Sequence, residues 1–110
     1  MDTQITSLDH LESILEENIA AIIYFTSPKC NVCKVLRPKL MELTEKTYPD
    51  MGRFFVDISE TPEIAAHYSV FAAPTILVLF EGKEFARKSR SMSPELLMKE
   101  IERPYSILTQ

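Results

Sequence analysis

The residues best suited to chemistry are two cysteines. Cys30 and Cys33 stand in the order Cys30-Asn31-Val32-Cys33 and are the only cysteines in the chain. In a reducing compartment a lone pair three positions apart is seldom a structural staple. It is more often redox-active or half of a metal site. Tetrahedral zinc needs four ligands. His10 and His67 are the only histidines, and nothing in the order of elements puts either beside the pair. Only a dimer sharing two such pairs would complete a set, so no metal is expected. A thiolate can attack a disulfide or a metal, whereas a thiol cannot. Bringing a thiol from about 8.5 to neutrality requires roughly 2 kcal/mol, at about 1.4 kcal/mol per unit. The end of a helix contributes roughly 0.3–1 kcal/mol. Cations are available for the remainder: Lys29, Lys34, Arg37 and Lys39 all lie between Thr26 and Met41, and no acid does. Arg37 and Lys39 read by default as solvated helix positions.

The flanking segments say what must position this pair. Ile19-Ala20-Ala21-Ile22-Ile23-Tyr24-Phe25 is a continuous apolar run, β-branched and aromatic, of the kind found in a strand buried on both faces. Thr26-Ser27-Pro28-Lys29 breaks it. A long helical pattern follows, with Val32, Val35, Leu36, Leu40 and Leu43 as its apolar positions and Pro38 as an internal kink. The pair thus falls where a buried strand turns into a helix, with the first cysteine at the helix start. Residues three apart there share a face, so the sulfurs can reach bonding distance.

The rest alternates. Ser7 or Thr6 caps a first helix with Leu8, Leu11, Ile14 and Leu15 inward, closed by Asn18. A turn, Tyr48 to Gly52, leads into a strand over 53–58. Thr61-Pro62-Glu63 gives a cap, a proline at the first helical position and an acid in the first turn, for a short helix to about Tyr68. Ala73-Pro74-Thr75 precedes a strand over 76–80. Glu81-Gly82-Lys83 turns it back into an antiparallel partner over 84–88. Ser93-Pro94-Glu95 opens a last helix with Leu96, Leu97 and Ile101 inward; Pro104 should stop it, leaving a tail from Tyr105. The order αβαβαββα predicts an α/β fold, a central mixed sheet covered by helices.

Composition excludes much else. The 110 residues fit one domain, 1–110. With 45% hydrophobic and 25% charged residues, neither disorder nor a disulfide-dense miniprotein is expected. No apolar run reaches the length of a membrane span. Met1-Asp2-Thr3-Gln4 lacks a basic, then apolar, leader pattern, so the expected location is the cytoplasm. A formal charge of −4 gives no reason to expect nucleic-acid or membrane partners. No Gly-rich phosphate loop and no Ser/His/Asp set is present.

From roughly Ser7 to Arg103 the sequence resembles the thioredoxin family. A strand, a CxxC, then a helix match, with Lys34 directly after the second cysteine and Pro38 five residues beyond it; Ala73-Pro74-Thr75 matches the family's cis-proline loop. The resemblance implies a thioredoxin fold and thiol–disulfide exchange, without a cofactor. It makes Cys30 the exposed attacking thiol, Cys33 the buried resolving thiol and Pro74 a cis residue packed against them. Ala73 would present its backbone to an extended peptide, as in strand addition. Lys29, Ala73, Pro74, Thr75 and Arg90 would bind substrate.

The departures are equally specific. Where the family has Trp before the first cysteine and Gly-Pro between the two, this chain has Lys29 and Asn31-Val32. The family's buried aspartate falls at Tyr24 and its partner lysine at Phe55, so both members of a buried charged pair are aromatic. A lone survivor would have been an unpaired buried charge. Deprotonation of Cys33 then needs water, a substrate group or the Tyr24 hydroxyl, although core packing is the plainer role for Tyr24. Arg90 stands where the family has a glycine, and with Lys29 and Lys34 makes the expected active face cationic, suited to anionic disulfides. The implied partners are disulfide-containing proteins and, as electron donor, a thioredoxin-reductase-type enzyme or a low-molecular-weight thiol, with the chain working as a monomer. The competing reading is a binding or adaptor module on the same fold with little general reductase activity.

Overall fold

The computed structural model describes residues 2–110. Among them, five strands form one mixed sheet in the order β1-β3-β2-β4-β5. β1 is Thr3–Gln4, β2 Ala20–Thr26, β3 Gly52–Asp57, β4 Thr75–Phe80 and β5 Lys83–Lys88. β1 and β2 run parallel to β3, whereas β4 runs antiparallel to both β2 and β5. The helices are α1 (Leu8–Glu17), α2 (Cys33–Thr47), α3 (Pro62–His67) and α4 (Pro94–Leu108).

β2 is the centre of the molecule. All seven of its residues are buried, as its unbroken apolar run requires. Successive side chains of a strand point to opposite faces, and β2 divides the core accordingly. Ala20, Ile22 and Tyr24 pack with Cys30, Cys33, Leu36, Leu40 and Met41 of the α2 side and with Leu97, Met98 and Ile101 of α4. Ala21, Ile23 and Phe25 pack on the other face with Leu11 and Ile14 of α1 and Ile64 and Ala65 of α3. Burying each large side chain of this set stabilises the fold by roughly 1.5–3 kcal/mol.

Several elements end differently from their sequence signals. Ser7 is the cap of α1, its Oγ accepting from the His10 N–H at 3.0 Å. Thr61 precedes α3 but makes no cap bond; its hydroxyl donates to the Asp57 carbonyl instead. α2 passes through Pro38 without interruption. Pro104 does not stop α4, which continues to Leu108. The reason is tertiary: the Tyr105 ring lies edge-on to Tyr48 at 4.9 Å, and the Tyr48 hydroxyl donates to the Met98 carbonyl at 2.6 Å. These contacts hold the turn that contains Pro104, and the one hydrogen bond the proline forfeits lies on an exposed face at Glu100. Leu8 and Leu96, expected inward, are exposed, as is Val35; Leu97, Met98 and Ile101 are the residues of α4 that meet the sheet. β1 carries only two residues and no pattern, yet Ile5 after it is fully buried and its N–H donates to the Phe55 carbonyl at 2.9 Å.

The β4–β5 turn needs backbone that most residues avoid. Glu81 and Gly82 both have positive φ, 51° and 78°, the pattern of a tight turn matched to strand twist. Gly52 serves a different purpose. A Cβ there would lie 2.6 Å from the Phe54 ring and 2.7 Å from the Asn18 side-chain oxygen. Asn18 also ties down α1, its Nδ2 donating to the Ile14 carbonyl at 2.9 Å. Gly52→Ala is therefore expected to cost about 1–3 kcal/mol, read as a lowered denaturation midpoint; an unchanged midpoint would show that Phe54 and Asn18 yield freely.

Candidate active site

The cysteines sit at the C-terminal end of β2. Cys30 lies in the turn after it, its N–H donating to the Ser27 carbonyl at 3.1 Å. Cys33, rather than Cys30, is the first residue of α2; Cys30 precedes the helix by one turn. The two are joined by a disulfide, with Cα atoms 5.4 Å apart. In this oxidised form Cys30 is only 9% exposed and Cys33 5%, so the expected contrast between an exposed and a buried sulfur is small. Each sulfur covers the other, and Val32 and Ala73 pack against the same cluster.

What distinguishes the cysteines is the space each borders. Cys30 opens on a groove of about 200 Å³ lined by Lys29, Asn31, Val32, Ala73, Pro74 and Arg90. The Ala73–Pro74 peptide is cis. Antiparallel pairing of β4 with β2, Thr75 opposite Phe25, brings this loop beside the cysteine turn. Sequence-distant Lys29, Ala73, Pro74 and Arg90 therefore meet around one sulfur. Thr75 does not join them. It borders a neighbouring groove with Phe71 and Arg87, and its hydroxyl donates to the Ala72 carbonyl at 2.7 Å.

Cys33 faces the other way. It borders a groove of about 370 Å³ with Asp2, Lys34, Arg37, Pro38 and Met41. A third space, about 270 Å³, touches both cysteines and includes Lys34, Arg37, Phe55 and Asp57. Arg37 is not a solvated helix position. Its Nε donates to Asp2 Oδ2 at 2.8 Å, a second nitrogen donates to Oδ1 at 3.4 Å, and its guanidinium lies 3.6 Å above the Phe55 ring. Lys39 does behave as a surface residue, 3.8 Å from Glu95 with both side chains exposed. Arg87 donates to the Tyr68 and Ser69 carbonyls, which ties β5 to the segment leading into the cis-proline loop, and it pairs with Glu84.

Beneath the cysteines, Tyr24 and Phe55 are register partners on adjacent strands. Tyr24 is fully buried and its hydroxyl has no hydrogen-bond partner among the described residues. Burial pushes the phenol up to about 12, with the Arg37 charge pulling the other way. At neutral pH it stays protonated and so cannot take a proton from Cys33. His10 accepts from the Thr6 N–H and His67 packs on Tyr68; neither borders the three spaces around the cysteines. Among the described residues no three His, Cys, Asp or Glu side chains gather as a metal set.

The family model described as Thioredoxin matches residues 2–103. The chain belongs to the thioredoxin family. A thioredoxin-like protein of Bacillus subtilis, YdfQ, is 28% identical over 105 residues, covering 96% of this chain and 93% of its own length. An H-type thioredoxin of Fagopyrum esculentum is 36% identical over 78 residues, 71% of this chain and 66% of that one. The crystal structure of Fasciola hepatica thioredoxin superposes with a TM-score of 0.80 at 28% identity, over 94% of this chain and 98% of that one. Family membership and the bonded Cys30–Cys33 pair together support thiol–disulfide exchange as the chemistry of this thioredoxin-family site. Sequence reasoning missed three features. Asp2 reaches the site from the N-terminal end of the chain, Arg37 is tethered by it, and Phe71, 87% exposed, stands beside the cis-proline loop. The acid near the N-terminus and the aromatic before Ala72-Ala73 carry a weak signal; the tether on Arg37 carries none.

Proposed function

We propose that this chain is a protein-disulfide reductase working in the cytoplasm as a monomer, with Cys30 as attacking and Cys33 as resolving thiol. The observation that carries the reading is the shared groove: a bonded cysteine pair whose first member opens beside Lys29, Ala73, Pro74 and Arg90. Pro74 has no N–H to compete for the sulfur, and the backbone of Ala73 offers an extended peptide a strand to pair with. Thr75 holds the loop through Ala72. Electrons come from a thioredoxin-reductase-type enzyme or a low-molecular-weight thiol, which returns the disulfide to the dithiol after each cycle.

The test is reduction of a protein disulfide such as insulin, driven by a thioredoxin-reductase system or by a small thiol. Turnover above the rate of the donor alone supports the reading. No turnover with either donor, in protein whose disulfide is reducible, overturns it in favour of a binding module.

Substrate charge supplies a further prediction. Lys29 and Arg90 flank Cys30 in an otherwise acidic protein. An anionic disulfide should react faster than a neutral one of equal reactivity, and the advantage should fall by about three- to tenfold between low salt and 0.5 M salt as screening shortens to a few ångströms. Lys29→Gln with Arg90→Gln should remove it. Equal rates for both substrates at all salt concentrations would refute a cationic substrate face.

A further inference from the structure

Resting on the exchange reading above, we propose that Arg37 is the cation that keeps the Cys33 sulfur ionised for the resolving step. Arg37 follows Cys33 by four residues on α2, so the two side chains lie on one helix face. It borders both of the spaces that Cys33 borders. It is also held still. The forked contact with Asp2 fixes the guanidinium in plane, the Phe55 ring supports its face, and the side chains of Arg37 and Asp2 are 30% and 10% exposed. A planar cation fixed in this way is pre-organised, and little entropy is lost when a negative charge forms beside it.

The other charged and titratable groups around Cys33 do not substitute for it. Lys34 borders the same spaces but is exposed. Tyr24 beneath is a neutral phenol at working pH. Both oxygens of Asp2 accept from Arg37. Asp57 Oδ1 accepts from Ser59 and Glu60, and the hydrogen bonds from Ser59 keep that carboxyl below its usual range. Asp2 is engaged by the guanidinium and Asp57 binds a proton less readily than an ordinary carboxylate, so the Cys33 thiol is best deprotonated here by lowering its own affinity for the proton.

In the step concerned, Cys30 is bonded to a substrate sulfur. The Cys33 proton passes to water, and the Cys33 thiolate attacks the Cys30 sulfur. The Cys30–Cys33 bond forms as the Cys30–substrate bond breaks. The substrate leaves as a thiolate and takes up a proton. Over the cycle the cysteine pair loses two electrons and the substrate disulfide gains them.

The experiment uses the full chain carrying Cys30→Ser, in which Cys33 is the only thiol, and follows the Cys33 13Cβ chemical shift against pH. Adding Arg37→Gln should raise the midpoint by about one unit, which is tenfold less thiolate at any pH below it. Arg37→Lys should recover most of the difference. A merely structural role would lower the melting temperature of Arg37→Gln and leave the midpoint where it was, and that result overturns the assignment. Insulin reduction by the wild type reports separately. Normal turnover with an unmoved midpoint removes Arg37 alone, whereas absent turnover removes the exchange reading and the resolving role with it.

Discussion

Cys30→Ser is expected to abolish disulfide turnover, and Cys33→Ser to react once and remain attached to its substrate. A serine hydroxyl is not ionised near neutrality and oxygen does not displace sulfur from a disulfide, so Cys30→Ser removes the nucleophile outright. Loss of a nucleophile of this kind costs on the order of 10⁴-fold or more in rate. Cys33 cannot take over, because it borders the grooves on the Asp2 and Phe55 side and not the one lined by Ala73 and Pro74. With Cys33→Ser the first attack proceeds, but no second sulfur lies 5.4 Å away at its Cα to release the mixed disulfide. Intact-mass measurement after mixing with excess substrate should show one substrate added per chain, removable by a reducing thiol. If Cys33→Ser instead turns over at the wild-type rate, the second cysteine is not the resolving group. If Cys30→Ser forms the stable adduct, the roles are reversed.

The position of the two cysteines is legible in part in the sequence. The run from Ile19 to Phe25 could hardly be anything but a buried strand. A break and a helical pattern after it placed Cys30 and Cys33 at the strand's C-terminal end. Ala73-Pro74-Thr75 stands ahead of a second apolar strand; that it forms the cis-proline loop, and that Arg90 comes near it, is what the family resemblance implies. These signals are local, or concern the order of strong elements, and both survive in one dimension. The features missed depend on contacts between distant residues. Asp2 meets Arg37 across 35 positions, and neither residue has a pattern that names the other. Pro104 reads as a helix stop because propensity is all that a sequence shows there. The Tyr48–Tyr105 contact that overrides it is tertiary. Leu8 and Leu96 fit the helical period at its edge, where a rotation of one residue decides whether a side chain is covered. The pair Tyr24 and Phe55 illustrates both sides. Their joint departure from a charged pair pointed to adjacency, which the strand register shows. The cation that stands over Phe55 came from a helix position that looked solvated.

That strand also provides the sharpest stability comparison, because Tyr24 and Phe25 are neighbours in sequence but lie in different halves of the core. Phe25 is fully buried among Leu11, Ile14, Ile64 and Val70, with its ring edge-on to Tyr68 at 6.1 Å. Phe25→Ala leaves a cavity in close-packed surroundings that are held by two helices and cannot collapse fully. The expected loss is about 3–5 kcal/mol, a large share of the roughly 5–15 kcal/mol that holds a domain together, and the melting temperature should fall by more than about 10 °C. Tyr24→Phe makes the opposite kind of change. It keeps the ring and deletes a buried hydroxyl that has no partner, so stability should be unchanged or higher by up to about 1 kcal/mol. The Cys30–Cys33 exchange rate per folded molecule should be unaffected by Phe25→Ala, whose side chain lies on the face of the sheet away from the cysteines. It should be nearly unaffected by Tyr24→Phe as well, because a phenol that stays protonated takes no proton from Cys33. A Tyr24→Phe protein that is destabilised by more than 1 kcal/mol, or that resolves mixed disulfides tenfold more slowly at neutral pH, would show that the hydroxyl has a partner in the reduced state and that the proton leaves by way of Tyr24 after all.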